Sequence, residues 1–154
     1  MCGIFGVRNQ PEAVSLTKLG LYSLQHRGQE SAGVVAVEAN GNARGVRSMG
    51  LVSDMSTPLL DSLHGTLAIG HTRYSTTGSS SIENAQPVLA SSRGGHIALA
   101  HNGNLINAGE LRVELEELGS IFASSMDSEV IVHRLARSNG GCLTQGYSSI
   151  RRHS

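Results

Sequence analysis

The sequence predicts an α+β fold in which antiparallel sheets are covered by helices. Strand-like runs arrive in adjacent pairs joined by turn signals, and amphipathic helical patterns stand before and after them rather than alternating with single strands. At 154 residues, 39% of them hydrophobic, the chain has the size of one ordinary domain with a core of modest volume. The 19 glycines and 3% aromatic content point to many tight turns or close backbone approaches.

Gly3 to Val7 reads as a short apolar strand, and Glu12 to Gln25 carries Val14, Leu16, Leu19, Leu21 and Leu24 at roughly helical spacing after Pro11. Ala32 to Val37 is an apolar run rich in valine, suited to a strand buried on both faces. Ala43 to Ser48, set off by Asn40-Gly41-Asn42, is its hairpin partner. A short helix over Pro58 to Leu63 leads to a buried strand over Thr66 to Thr72. Tyr74 to Asn84 has no repeating apolar face and reads as an exposed loop. Gln86 to Ala90 and His96 to Ala100 form a second hairpin around Arg93-Gly94-Gly95.

Asn107 stands three residues before Glu110 in a capping-box pattern, and Leu111, Leu115 and Leu118 form an apolar stripe ending at Gly119. A further helix opens at Asp127, presents Val130, Ile131 and Leu135 as its apolar face, places Arg134 and Arg137 toward its C-terminal end, and stops at Asn139-Gly140. Cys142 to Ser154 has neither period and no internal repeat occurs.

Charge and composition exclude several function classes. Twelve basic and twelve acidic residues cancel, which argues against nucleic acid or an anionic membrane as the main partner. No apolar run has the length of a membrane span, no secretory signal opens the chain, and a cytoplasmic location is the expectation. Two cysteines, Cys2 and Cys142, are too few for a disulfide framework. The seven histidines show no zinc-like spacing, so no metal site is expected; His71 and His101 are read as supports for strand ends.

Cys2 is the residue that points to chemistry. Removal of Met1 would put a thiol and a free α-amine on one residue. An α-amine with a reference pKa of about 7.7–8.0 can accept a proton from a thiol near 8.5, so nucleophile and base come together without a separate histidine. Taken alone, Cys2 also fits a small buried residue opening a strand.

Four segments carry a resemblance: Cys2-Gly3-Ile4-Phe5-Gly6, His26-Arg27-Gly28-Gln29-Glu30-Ser31-Ala32-Gly33, Gly70-His71-Thr72-Arg73-Tyr74-Ser75-Thr76 and Ala100-His101-Asn102-Gly103-Asn104-Leu105. Their order and spacing resemble the glutaminase domain of class II glutamine amidotransferases, specifically the amidophosphoribosyltransferase family of purine biosynthesis, over residues 2–139. Hexosamine-forming relatives tend to have Tyr-Arg-Gly-Tyr-Asp-Ser and Arg-Trp-Ala-Thr where this chain has residues 26–31 and 73–76.

The resemblance implies an N-terminal-nucleophile hydrolase fold, antiparallel sheets sandwiched between helices in four layers (αββα), incomplete at the C-terminus. It implies that Cys2 attacks the side-chain amide of L-glutamine, releasing ammonia and leaving a γ-glutamyl thioester for water to hydrolyse. Asn102 and Gly103 match the oxyanion pair, through a side-chain NH2 and a backbone N–H. Arg73 matches the residue that binds the α-carboxylate, work suited to a planar guanidinium fork. Asp127 matches the partner of the α-ammonium, and its carboxylate also suits an ordinary helix N-cap. Thr76 and Gly78 are placed along the pocket by position alone.

The resemblance further implies a homo-oligomeric full-length enzyme that forms 5-phosphoribosylamine from phosphoribosyl pyrophosphate (PRPP) and glutamine. Mg2+ would accompany PRPP in a phosphoribosyltransferase domain, and an iron–sulfur cluster is compatible with the full-length enzyme. The signature of that phosphoribosyltransferase domain does not occur in these residues. Residues 2–139 are therefore expected to be the first part of the glutaminase domain, and residues 140–154 an atypical tail. Two other readings stand beside this one: a catalytically silent fragment acting by association, and the glutaminase part of a hexosamine-phosphate synthase.

Overall fold

The structure is a computed structural model, and it describes residues 1–74 and 80–138. Strand β1 (Gly3–Arg8) leads into helix α1 (Ala13–Ser23), followed by β2 (Ser31–Val37) and β3 (Ala43–Met49). Short helix α2 (Thr57–Asp61) precedes β4 (Leu67–Arg73), then β5 (Val88–Ser92), β6 (Gly95–Leu99), α3 (Ala108–Glu117) and α4 (Asp127–Arg137). One antiparallel sheet has the order β1-β4-β2-β3, and β5 pairs with β6 in a second.

Alternation along the strands gives the larger sheet two different faces. Gly3 and Gly70 look toward Leu24 and toward Thr17 and Leu21 of α1. Here Leu21, Ala32, Val34, Ala36 and Ala68 close a core with Val52, Met55, Leu60 and Leu63. The opposite face carries His71 and Arg73, turned toward the second sheet; β3 meets β5 there, and α4 covers β5 and β6. The layers therefore run helix, sheet, sheet, helix, as in the N-terminal-nucleophile hydrolase fold.

Some expectations need correcting. The buried stripe of α1 is Ala13, Thr17, Gly20 and Leu21, whereas Leu16 and Leu19 are exposed; small residues lie against the sheet because Phe5 occupies the space beside Gly20. The stretch taken as an exposed loop contains a 3-10 turn over Ile82–Asn84, in which Asn84 is buried and receives the Ser125 N–H at 3.3 Å. The first strand of the second hairpin starts at Val88, two residues later than the pattern suggested, because Gln86 is used elsewhere. Asn107 precedes α3 without making a side-chain cap bond, so the capping box is not formed. In α4 the fully buried apolar positions are Val130 and Val132, with Ser128 and Glu129 buried beside them, while Ile131 and Leu135 are half-buried. The expected helix stop at Asn139-Gly140 and the tail from Cys142 onward lie outside the described residues.

Candidate active site

The antiparallel register assembles the site. Gly3 is opposite Thr72, so the chain entering β1 runs beside the chain leaving β4, which brings Cys2 to Tyr74. The Tyr74 N–H lies 3.5 Å from Cys2 Sγ, close enough to donate to the sulfur. Ser31 is opposite Arg73, which brings Glu30 to the same corner. The Arg73 guanidinium donates to Glu30 Oε1 in an ion pair whose side chains are 6% and 13% exposed.

The segment after β6 closes the other side. Cys2 N–H donates to Asn102 Oδ1 at 3.2 Å, and Asn102 Nδ2 donates to the Cys2 carbonyl at 3.1 Å. This reciprocal pair engages one of the two Nδ2 hydrogens and leaves the other. Gly103 follows with no side chain where a Cβ would stand 2.8 Å from His101 Nε2.

Asp127 is the first residue of α4, and Met126 occupies the N-cap position, so the alternative of an Asp127 N-cap fails. Its Oδ2 instead accepts the Leu105 N–H at 2.6 Å, and its Oδ1 faces His101 Nδ1 at 3.9 Å. The turn before α4 is held by Glu129, which accepts the Ala123 and Ser124 N–H groups, both at 2.8 Å. Arg112 packs over the Phe122 ring at 4.0 Å and donates to the Ser124 carbonyl. Asp127 therefore starts its helix from a fixed point.

Cys2, Arg73, Tyr74, Gln86, Gly103 and Asp127 all line one cavity of about 290 Å³. That volume is at the small end for ligand pockets and suits a compound of amino-acid size. The structure thus brings together Cys2, Asn102, Gly103, Arg73 and Asp127, while Thr76 and Gly78 lie outside the described residues.

Sequence reasoning did not single out Glu30, Gln86 or the Tyr74 backbone. Glu30 was legible only as part of its segment, and Gln86 only as the start of a strand. His71 sits fully buried behind the site, and its pKa is lowered to about 4, chiefly by burial, which outweighs the opposing hydrogen bond to the His101 backbone, while repulsion from Arg73 and His101 adds to the lowering. Its ring is therefore neutral at physiological pH. Among the described residues, no three His, Cys, Asp or Glu side chains gather as a metal-holding group, and no helix is long and apolar enough to cross a membrane. The described residues therefore offer no ligand set for Mg2+ or an iron–sulfur cluster.

Comparison with known proteins places the chain in a family. Residues 71–147 match the family model described as a glutamine amidotransferase domain. The chain is 49% identical over 138 residues to amidophosphoribosyltransferase 3, chloroplastic, of Arabidopsis thaliana, covering 89% of this chain and 26% of that protein. It is 49% identical over 141 residues to an amidophosphoribosyltransferase of Lacticaseibacillus casei, covering 90% of this chain and 72% of that sequence. Among solved structures, the glutamine PRPP amidotransferase from B. subtilis complexed with ADP and GMP superposes with a TM-score of 0.88 at 40% identity, covering 99% of this chain and 33% of that one. The chain thus spans about a quarter of the plant relative and a third of the solved enzyme. A thiol set against an Asn-Gly pair in a four-layer fold, matched at this identity, shows that the chain belongs to the amidophosphoribosyltransferase family and carries its glutamine amidotransferase domain.

Proposed function

We propose that this chain hydrolyses L-glutamine at Cys2 and that the parent enzyme delivers the ammonia to PRPP, forming 5-phosphoribosylamine. The observation that carries the reading is the reciprocal pairing of Cys2 with Asn102 at the wall of a cavity that also holds Arg73 and Asp127.

Met1 is 76% exposed, which makes it accessible to an aminopeptidase. Once it is removed, the Cys2 nitrogen becomes an α-amine able to take the thiol proton. The thiolate adds to the amide carbon, and negative charge develops on the amide oxygen. The remaining Asn102 Nδ2 hydrogen and the Gly103 N–H receive it. The C–N bond then breaks, the proton held by the amine passes to the departing nitrogen, and ammonia leaves. Water adds to the thioester, the C–S bond breaks, and glutamate and the thiol are restored.

Arg73, oriented by Glu30, binds the α-carboxylate, and Asp127 Oδ1, which faces His101 Nδ1 without a hydrogen bond to it, binds the α-ammonium. Together they select a free amino acid over a glutamine inside a peptide. Thr76 and Gly78 complete the pocket on this reading. The remainder of the enzyme, homo-oligomeric and cytoplasmic, binds PRPP with Mg2+ and houses any iron–sulfur centre. The test is glutamate release from L-glutamine by the chain with Met1 removed, against Cys2→Ala; equal release from both rejects the reading.

A further inference from the structure

Both backbone polar groups of His101, the residue before Asn102, are held by buried side chains that the chemistry above does not use. Its N–H donates to Gln86 Oε1 at 2.6 Å, and its carbonyl lies 3.3 Å from His71 Nε2. Gln86 is 6% exposed and His71 is fully buried. His71 Nδ1 is buried with no hydrogen-bond partner. A neutral imidazole carries one proton, and only Nε2 faces an acceptor, so Nε2–H donates to the His101 carbonyl.

Gln86 is itself anchored to the large sheet. Its carbonyl lies where a Cβ on Gly33 would come within 2.4 Å, and the neighbouring Ala85 carbonyl accepts from Arg47 Nη1 at 3.0 Å. The anchored residues therefore reach from the sheet to the segment after β6. Asn102, Gly103 and Asn104 are exposed and belong to no strand or helix. Besides the two bonds that tie the Asn102 side chain to Cys2, their placement depends on where His101 is fixed upstream and where Asp127 holds Leu105 downstream.

We propose that Gln86 and His71 are positioning residues that clamp the His101 backbone and so aim the Asn102 and Gly103 donors at the oxyanion. The geometry stands by itself, and its catalytic consequence rests on the glutamine-hydrolysis reading. The oxyanion is absent from bound glutamine and forms only as the thiolate adds, in the tetrahedral intermediate and the transition states beside it, so loosening the clamp lowers kcat, whereas KM follows Arg73 and Asp127. A displacement near 1 Å costs on the order of 100-fold in rate.

The chain is compared with its Gln86→Met, Gln86→Glu, His71→Leu and His71→Gln variants by three readouts. These are hydrogen exchange at the His101 N–H group, steady-state glutamate release, and alkylation of Cys2 by iodoacetamide. Gln86→Met and His71→Leu are expected to speed exchange at the His101 N–H and to lower kcat by about 10- to 100-fold, with KM within about twofold. Alkylation is a displacement at a tetrahedral carbon with no oxyanion, and its rate stays unchanged. Gln86→Glu keeps the acceptor and His71→Gln keeps a donor, so both return kcat to within about threefold.

Unchanged exchange and kcat in Gln86→Met overturn the proposal, as does a parallel fall in kcat and alkylation, which marks general damage to the site. If the unaltered chain releases no glutamate while Gln86→Met still speeds exchange at His101, the clamp stands and the glutamine reading falls.

Discussion

Cys2 and Asn102, a hundred residues apart, exchange two hydrogen bonds, N–H to Oδ1 at 3.2 Å and Nδ2–H to carbonyl at 3.1 Å. The amide that is proposed to steady the oxyanion thus also fixes the backbone of the nucleophile. Asn102→Ala removes both functions and is expected to lower kcat for glutamine hydrolysis by about 100- to 1,000-fold, the usual loss for one oxyanion donor. Asn102→Asp keeps the acceptor for the Cys2 N–H but loses the donor, and falls by a similar factor. Glutamate release measured on both variants checks this; a near-normal rate in Asn102→Asp would remove the donor role.

The Glu30–Arg73 pair is buried, and Glu30 Oε2 has no hydrogen-bond partner. Removing the carboxylate opposite a buried guanidinium typically costs about 3–5 kcal/mol, and the half-satisfied Glu30 places this site near the low end. Glu30→Ala is therefore expected to be about 3 kcal/mol less stable in urea unfolding and to show a raised KM for glutamine. A variant as stable as the parent, with the same KM, would show that Glu30 neither supports nor orients Arg73.

His71 makes stability depend on pH. Its pKa in the fold is about 4, below the 6.5 of the unfolded chain, so between these values the unfolded state binds the proton more tightly. Its share of stability is complete above pH 6.5 and is lost as pH falls toward 4, by about 3 kcal/mol in all. Urea midpoints taken at pH 7.5, 6 and 5 should fall in the parent and fall less steeply in His71→Gln. Identical slopes would contradict a buried neutral imidazole.

Gly33→Ala would drive a Cβ to within 2.4 Å of the Gln86 carbonyl, a backbone atom that cannot swing aside. Overpacking of this kind costs about 1–3 kcal/mol. The expected outcome is a lower unfolding midpoint together with faster exchange at the His101 N–H. A change in stability without a change in exchange would separate Gly33 from the clamp.

What the sequence made legible was whatever depends on near neighbours. The valine-rich run of β2, the Asn40-Gly41-Asn42 turn into β3 and the apolar run of β4 each announce themselves within a few residues. The motif segments likewise located Cys2, Arg73, Asn102 and Gly103, and the start of the last helical pattern located Asp127; the fold brings these residues to one place. Contacts between distant segments were not legible. Gln86 matters because His101 lies across from it, and Asn84 is buried because Ser125 needs an acceptor. The leucine spacing of α1 misled because Gly20 and Thr17, not Leu16 and Leu19, face the sheet.

The most direct measurement is acid quenching of the Met1-free chain during turnover of L-glutamine, with intact-mass and peptide analysis of the product. A γ-glutamyl adduct on Cys2, absent from Cys2→Ala and lost on standing as glutamate appears, is the predicted result. A chain with a verified Cys2 amino terminus that forms no adduct and releases no glutamate above the Cys2→Ala control would contradict the account.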